Sequence, residues 1–561
     1  MTSKGLPFQP KQYNEGFQYN QPAFQESLSP ALREACVSQP FLGEYLEGLP
    51  MAEIGIPTFY PTLSRKLQKL ERRNLIYPVD DDLFVHIYPD TRGERDYYVA
   101  IEPDLTVQAD DLVSQVEAEL VDYAEEIGQA ETKADKREVL LRILDEICTT
   151  DSQDGSGRIV ATERQLEALR YHFVREKLGL GALQPLLQDP YIEDISCSGI
   201  GPIFIEHRMF RSLQSSIVFD THDDLDDFVV WMGEAIKRPV TVRNPIVDAV
   251  LPDGSRINIV YGREIATRGS NFTIRKFSDK PLSVLELIEF NTLNYLMASY
   301  LSLMLEEGMN MFVAGATASG KTTLLNALNT FILPDAKIVT IEDTPEIQVP
   351  HKNWCREVTR VNNQVEQGSE VNMFTLLKAA LRQRPDRIII GEIRGEEGRI
   401  AFQAMQTGHG VLSTFHAASV EKLLQRLTGD PINVPKTYID NLNVVAIQAA
   451  VRAPDGRMVR RVTSINEILG YDSVSESYSF IEVFRWNPAT DNFEFPGSMN
   501  SYLLEQRIAP RKGIPPHKRK AIYDELQKRA RIFERLHKER GVTGFDEFFK
   551  ILAEAHHQRL I

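Results

Sequence analysis

Residues 315–323, Gly315-Ala316-Thr317-Ala318-Ser319-Gly320-Lys321-Thr322-Thr323, read G-x-x-x-x-G-K-T and constrain the fold more than any other stretch of the chain. Such a loop works only where a strand ends at its first glycine and a helix starts at its lysine. Both flanks are present: the apolar Met311-Phe312-Val313-Ala314 before it and Leu324-Leu325-Asn326-Ala327-Leu328 after it. Glycine lets the backbone curl without a Cβ clash, so successive N–H groups point at one anion. The positive end of the following helix adds to the pull. The pattern predicts a nucleotide phosphate cradle at 315–323, with Lys321 reaching the β/γ-phosphates and the Thr322 hydroxyl ligating Mg²⁺.

Around the loop, helix and apolar strand alternate, the mark of a mostly parallel α/β sheet. Strands are expected at 311–314, 337–341, 387–390, 411–414 and 443–452. Meander strands near 460–469 and 480–486 and helices near 516–536 and 544–555 close the chain. Acids fall at strand ends, where an open α/β sheet holds its ligands. In Ile338-Val339-Thr340-Ile341-Glu342-Asp343-Thr344-Pro345-Glu346, Glu342 is the first choice to orient or deprotonate an attacking water. Asp343 and Glu346 remain either ligands of water or Mg²⁺ or caps of the next turn.

Arg387-Ile388-Ile389-Ile390-Gly391-Glu392-Ile393-Arg394 is an apolar strand ending in an acid, the Walker B arrangement, so Glu392 acts on Mg²⁺ through water. Two histidines, His409 and His416, flank the strand at 411–414. That strand is expected beside the P-loop strand, which favours His416 as a γ-phosphate sensor; a zinc pair lacks a third ligand nearby. Among the upstream arginines, Arg256 and Arg275 sit inside strand-like runs and are the candidates for a cation at the developing charge. A lone strand-end Glu, a lone His or a surface Arg is more often structural; their joint presence in this order gives them weight.

Upstream, residues 1–30 are rich in Gln, Asn, Pro and Phe and are expected to form a flexible arm. Residues 31–157 form a partner-binding region, helical from about 30 to 76. A hairpin follows at 83–88 and 97–101, then an acidic helical stretch from 109 to 147. The run Ser-Gln-Asp-Gly-Ser-Gly at 152–157 is the clearest linker. Residues 158–282 read as an α+β unit. It opens on the capping box of Thr162 and Gln165 and holds a Pro252-Asp253-Gly254 hairpin turn. Residues 283–561 are the P-loop domain with C-terminal helices.

Composition narrows the function classes. No uncharged apolar stretch is long enough to span a bilayer, and no secretory signal opens the chain. The four cysteines lie far apart without a C-x-x-C pair, which argues for reduced thiols in a cytosolic compartment and against a four-cysteine zinc site. A net charge of −16 disfavours a nucleic-acid coat. Against that balance, residues 507–540 hold twelve Lys/Arg and four Asp/Glu, with clusters at Lys518-Arg519-Lys520 and Lys528-Arg529-Ala530-Arg531. The patch reads either as a solvated helix face or as a dock for acidic protein loops or anionic lipid.

The motif set resembles the type II/type IV secretion ATPase superfamily, from about residue 184 to 470, with an archaeal-like branch the better match. Its residues are Asp189-Pro190-Tyr191-Ile192-Glu193-Asp194-Ile195, Leu251-Pro252-Asp253-Gly254-Ser255-Arg256, Thr273-Ile274-Arg275-Lys276-Phe277, the P-loop, the Asp box 340–346, Walker B 391–394 and the His box 408–416. The resemblance implies a RecA-like C-terminal domain with a smaller α+β N-domain. It implies a homohexameric ATPase using ATP and Mg²⁺, cytoplasmic and peripheral to the membrane, that drives a pilus-like filament, a secretion machine or an archaeal flagellum through a polytopic membrane platform protein. By motif, Glu342, Glu392, His416, Arg256 and Arg275 become the catalytic set. The four-cysteine site common in the bacterial branch is missing. Two rivals are a nucleic-acid translocase and a non-hydrolysing nucleotide-binding scaffold. The acidic balance argues against the first, and the intact Lys321, Glu342 and Glu392 against the second.

Overall fold

Burial patterns separate the two halves of the chain. Strands around residues 246–275 alternate buried and exposed side chains, whereas the strands at 311–314, 338–342 and 410–415 are buried on both faces. Alternation belongs to a sheet with one open face, and continuous burial to a parallel sheet covered by helices on both sides. The computed structural model describes residues 3–4, 6, 22–64, 67, 70, 72–90, 95–103, 110–151, 157–277, 281–360 and 371–558. It resolves into two units, Met1–Phe277 and Ser278–Ile561. Most of the expected arm and linker, and part of the run at 63–70, lie outside the described residues.

The first unit is built on an eleven-stranded sheet. Its order is Ile246–Val250, Arg256–Val260, Asn271–Arg275, Ile192–Cys197, Gly201–His207, Arg211–Phe219, Tyr97–Ile101, Leu83–Tyr88, Leu75–Asp80 and Thr58–Phe59. Ser3–Lys4 pairs antiparallel with Arg211–Phe219 off this path. The expected hairpins form: Phe84 lies opposite Ile101, and Val250 opposite Arg256 across a turn whose Gly254 takes φ +87°. Helix does not run to residue 76 as the sequence suggested. Among the described residues the last α-helix before that point is Met51–Ile54, and Leu75–Asp80 is a strand pairing with Leu83–Tyr88. Its Leu75, Ile76 and Tyr77 are fully buried against that partner, which outweighs a helical pattern in the residues before them. Parallel pairing of Gln214 with Tyr97 and Ser215 with Tyr98 carries the sheet through the division expected at 157/158.

A buried polar cluster joins the two parts of this sheet. Asp189, fully buried, accepts hydrogen bonds from the hydroxyls of Tyr77 (2.6 Å) and Tyr98 (3.0 Å) and from the Tyr191 N–H (2.8 Å). Lys276 Nζ donates to the Asp189 carbonyl oxygen. His207 Nδ1 accepts the N–H groups of Met209 and Phe210, so its proton sits on Nε2, which donates to the Tyr77 oxygen at 3.2 Å. Burial pushes the Asp189 carboxyl up and His207 down to about 3, so His207 is neutral.

The second unit has the expected RecA-like P-loop arrangement. Its sheet runs Trp354–Val358, Ile338–Glu342, Arg387–Ile393, Gly410–Phe415, Met311–Ala314, Val444–Arg452, Met458–Asp472, Ser477–Asn487 and Asn492–Glu494. The first six are parallel and the rest form an antiparallel meander. Met311 and Val313 face one core with Leu301, Leu324 and Phe533, while Phe312 and Ala314 face the other with Phe402 and Phe415. Trp354–Val358 and Asn492–Glu494, at the two sheet edges, carry half-exposed polar residues and left no apolar signature. Helices close the chain at Ile522–Lys538 and Phe545–His557. Arg529, read in the sequence as part of a basic cluster, is buried and bonds Ser302 at 3.0 Å and Glu306, so it does not belong to that surface. Among the described residues no helix is long and apolar enough to cross a membrane.

Candidate functional site

Four adjacent parallel strands end along one edge of the second sheet. In sheet order they deliver Glu342, Glu392, His416 and the P-loop. Parallel strands align their C-terminal ends, so residues separated by up to a hundred positions in sequence meet there. The loop leaves the sheet at Gly315, whose N–H donates to the Phe415 carbonyl at 3.1 Å. A Cβ on Gly315 would strike the Gln448 carbonyl and stand 2.6 Å from Ser319 Oγ. Gly320 takes φ +92° and opens the helix Lys321–Leu328, so both glycines are needed for different reasons: space at one, left-handed backbone at the other. Ala318 also has positive φ, +59°. Ala316, Thr317 and Ala318 are exposed at the loop crest, and Thr322 and Thr323 are half-buried in the first helical turn.

Lys321 folds back over the loop, and its Nζ donates to the Ala316 carbonyl at 3.0 Å. Burial and then Arg394 lower its pKa, while Glu392 and Glu346 raise it, which puts all three within electrostatic reach of the ammonium. Ser319 Oγ is buried without a hydrogen-bond partner among the described residues.

Glu342 is 1% exposed at its strand end. Oε1 accepts the Glu346 N–H at 2.7 Å and the Ile347 N–H at 2.6 Å. Oε2 has no hydrogen bond among the described residues and lies 3.6 Å from Arg356 Nε. Burial lifts the carboxyl to about 7, with the two N–H groups and Arg356 pulling the other way. One oxygen is thus fixed and the other left for a proton. Asp343 is exposed and accepts from the Thr359 hydroxyl at 3.1 Å. Asn326, on the P-loop helix, donates to the Glu346 carbonyl (2.9 Å) and accepts the Gln348 N–H (3.0 Å), tying the Asp-box segment to the helix.

At Gly391 the pairing with Gly410–Phe415 slips by a residue, and the Thr414 hydroxyl holds the Gly391 carbonyl at 2.6 Å. A Cβ there would press the Glu342 side chain at 3.3 Å, so Gly391 keeps the two acids' strands close. Glu392 Oε2 accepts from Arg394 Nε at 2.8 Å and from its Nη2. His416 is exposed, and Arg426 donates to its carbonyl.

The two upstream arginines lie in the first unit. Arg256 and Arg275 are cross-strand partners, both exposed on one sheet face, and Arg275 pairs in register with Asp194. Sequence reading did not find Asn326, Arg356, Arg394, Gln448 or Arg460, whose Nε donates to the Ala318 carbonyl. Arg394 stands within the quoted Walker B run; the other four reach the site through strand pairing or loop contacts that no short pattern encodes.

The residues present fit a nucleotide with its divalent ion: a glycine-lined cradle, an unpartnered hydroxyl on Ser319, a lysine held by a neutral carbonyl, and oxygen donors on Thr322 and Glu392. No cluster of three or more His, Cys, Asp or Glu able to hold a metal occurs among the described residues, and all four cysteines are free.

The family profile described as "Type II/IV secretion system protein" matches residues 176–474. The chain is 44% identical over 524 residues to the uncharacterized protein MJ0900 of Methanocaldococcus jannaschii, covering 90% of this chain and 93% of that one. It is 33% identical over 272 residues to the type IV secretion system protein PtlH of Bordetella pertussis, covering 44% of this chain and 79% of PtlH. With protein VirB11 of Agrobacterium fabrum it shares 29% identity over 269 residues, covering 42% and 76%.

Proposed function

The chain belongs to the type II/IV secretion system protein family, and from that premise we propose that it is an ATP-hydrolysing motor, working as a homohexamer at the cytoplasmic face of the membrane. Its work is to power assembly, secretion or rotation of a type IV pilus-like surface filament, against a polytopic membrane platform protein. The observation that carries the reading is the alignment of Glu342, Glu392, His416 and the P-loop on four neighbouring strand ends.

In this reading the N–H groups of 315–323 and Lys321 hold the phosphates, with Lys321 exchanging the Ala316 carbonyl for a charged acceptor. Thr322 and, through water, Glu392 hold Mg²⁺, which neutralises phosphate charge. Glu342 takes the proton of the attacking water on Oε2, while the Glu346 and Ile347 N–H groups keep Oε1 in place. His416, next to the P-loop in strand order, senses the γ-phosphate. Arg256 and Arg275 supply positive charge to the developing phosphate charge.

The test is phosphate release from MgATP by the purified full chain, with the Lys321→Ala variant in parallel. Turnover in the wild type that vanishes in the variant supports the reading. Equal turnover in both, or none in an ATP-binding wild type, removes it.

A further inference from the structure

The hairpin of Val444–Arg452 and Met458–Asp472 brings two side chains to the P-loop that no motif predicts. The first strand pairs with the P-loop strand up to Ile447 opposite Ala314. Gln448 is the next residue and runs beneath the loop: its carbonyl blocks a Cβ at Gly315, and its Nε2 would stand 3.3 Å from a Cβ at Gly320. Gln448 is 2% exposed, and its Oε1 has no hydrogen-bond partner among the described residues. Ser319 Oγ, which the same Cβ at Gly315 would approach to 2.6 Å, is buried and has no hydrogen-bond partner among the described residues.

Arg460 comes from the returning strand, opposite Ala450. Its Cδ would stand 3.1 Å from a Cβ at Gly320, and its Nε donates to the Ala318 carbonyl at 3.3 Å. Neighbouring Arg461 differs: its guanidinium is buried and neutralised by Asp491 through two hydrogen bonds of 2.8 Å. Arg460 is exposed, its hydrogen bond goes to a neutral carbonyl, and it makes no ion pair among the described residues. A guanidinium presents five donors in a planar fork, the geometry that takes two phosphate oxygens at once. One donor of Arg460 touches the loop that cradles phosphate; the two Nη groups make no hydrogen bond among the described residues.

We propose that Arg460 is a nucleotide-binding residue, a second cation carried by the meander onto the P-loop of its own unit, which pairs with phosphate oxygens opposite Lys321. Gln448, whose carbonyl lies against Gly315 and whose Nε2 lies near Gly320, is the positioning residue under the loop. The inference rests on the nucleotide-binding reading above. It differs from the arginines predicted upstream, because Arg460 lies in the same unit as the cradle and needs no neighbour to supply it.

The experiment is equilibrium binding of MgATP, MgADP and adenosine to the full chain and to Arg460→Ala, Arg460→Lys and Arg460→Gln, at two salt concentrations. The expected result is a loss of about tenfold or more for both nucleotides in R460A, the worth of one charge-assisted hydrogen bond. Adenosine binding stays unchanged, R460K recovers only the part of the loss that a single point charge supplies, and R460Q recovers none. Raising salt narrows the gap between wild type and R460A. Recovery by R460Q, which can still donate to the Ala318 carbonyl, would make Arg460 a loop brace and overturn the proposal. So would equal nucleotide affinity in R460A and a wild type that binds and hydrolyses ATP. A wild type that binds neither nucleotide removes the nucleotide reading itself, a separate failure.

Discussion

The two sheets put their functional groups in different places. In the second unit the central strands Met311–Ala314, Ile338–Glu342 and Gly410–Phe415 are buried on both faces, so polar groups gather at their ends, and Glu342, Glu392 and His416 line a single edge. In the first unit the outer strands alternate, and Arg256 and Arg275 stand side by side on an open face. A strand end surrounded by helices can remove a carboxylate from water and shift its pKa. An open face leaves its cations hydrated, ready to meet a charge brought to them. The second unit therefore has a strand edge suited to chemistry, and the first an open charged face.

That contrast fails most visibly if the strand-end groups are dispensable. Lys321→Ala is expected to cut turnover on the order of a thousandfold, measured by phosphate release. Glu342→Gln should lose roughly a hundredfold or more in turnover while ATP binding, read by equilibrium titration, stays intact. The same substitution carries a stability signature. Burial raises Glu342 from 4.5 to about 7, so the folded state holds that proton more tightly than the unfolded chain. Stability from this group is present below the lower value and lost as pH rises through the higher one. E342Q should then melt above the wild type at pH 8 and level with it at pH 4; a variant that melts lower at both would make Glu342 structural.

The open face is sharpened by Arg256→Ala. Turnover should fall roughly tenfold, while the melting temperature moves by no more than a surface change of about 0.5 kcal/mol implies. Melting that falls in step with activity would place Arg256 among structural residues. The smallest effect concerns pH. With Glu342 as the base, kcat/KM should rise with pH through about 7 and then level off. Because Arg356 pulls that carboxyl down, Arg356→Ala should move the inflection to higher pH; a shift to lower pH would contradict the electrostatics of the site.

Much of this edge is legible in the sequence because each piece is local. An apolar strand, a glycine turn and a following helix are encoded within the eighteen residues 311–328, and the acids sit directly on the runs that become strands. What the sequence hides is pairing. Arg460 meets Ala318 across 142 positions, through a meander whose register shifts between Ile447 and Gln448. Asn326 looks like any helix residue until the Asp-box segment folds onto it. The strand Leu75–Asp80 was hidden differently, since the sequence before it carries a helix-like pattern that burial beside Leu83–Tyr88 overrides.

The Asp189 cluster bears on how the chain can be cut. Trimming the sequence before residue 158, where composition invites a boundary, would take Tyr77 and Tyr98 from a buried carboxylate that needs both hydroxyls. It would also strip Tyr97–Ile101 and Ser3–Lys4 from Arg211–Phe219, turning an interior strand into a bare rim of unpaired amides and carbonyls. Such a rim is a template for another chain. A fragment made that way would clump in the test tube, and any activity it lost would report on solubility rather than on a role of the residues removed.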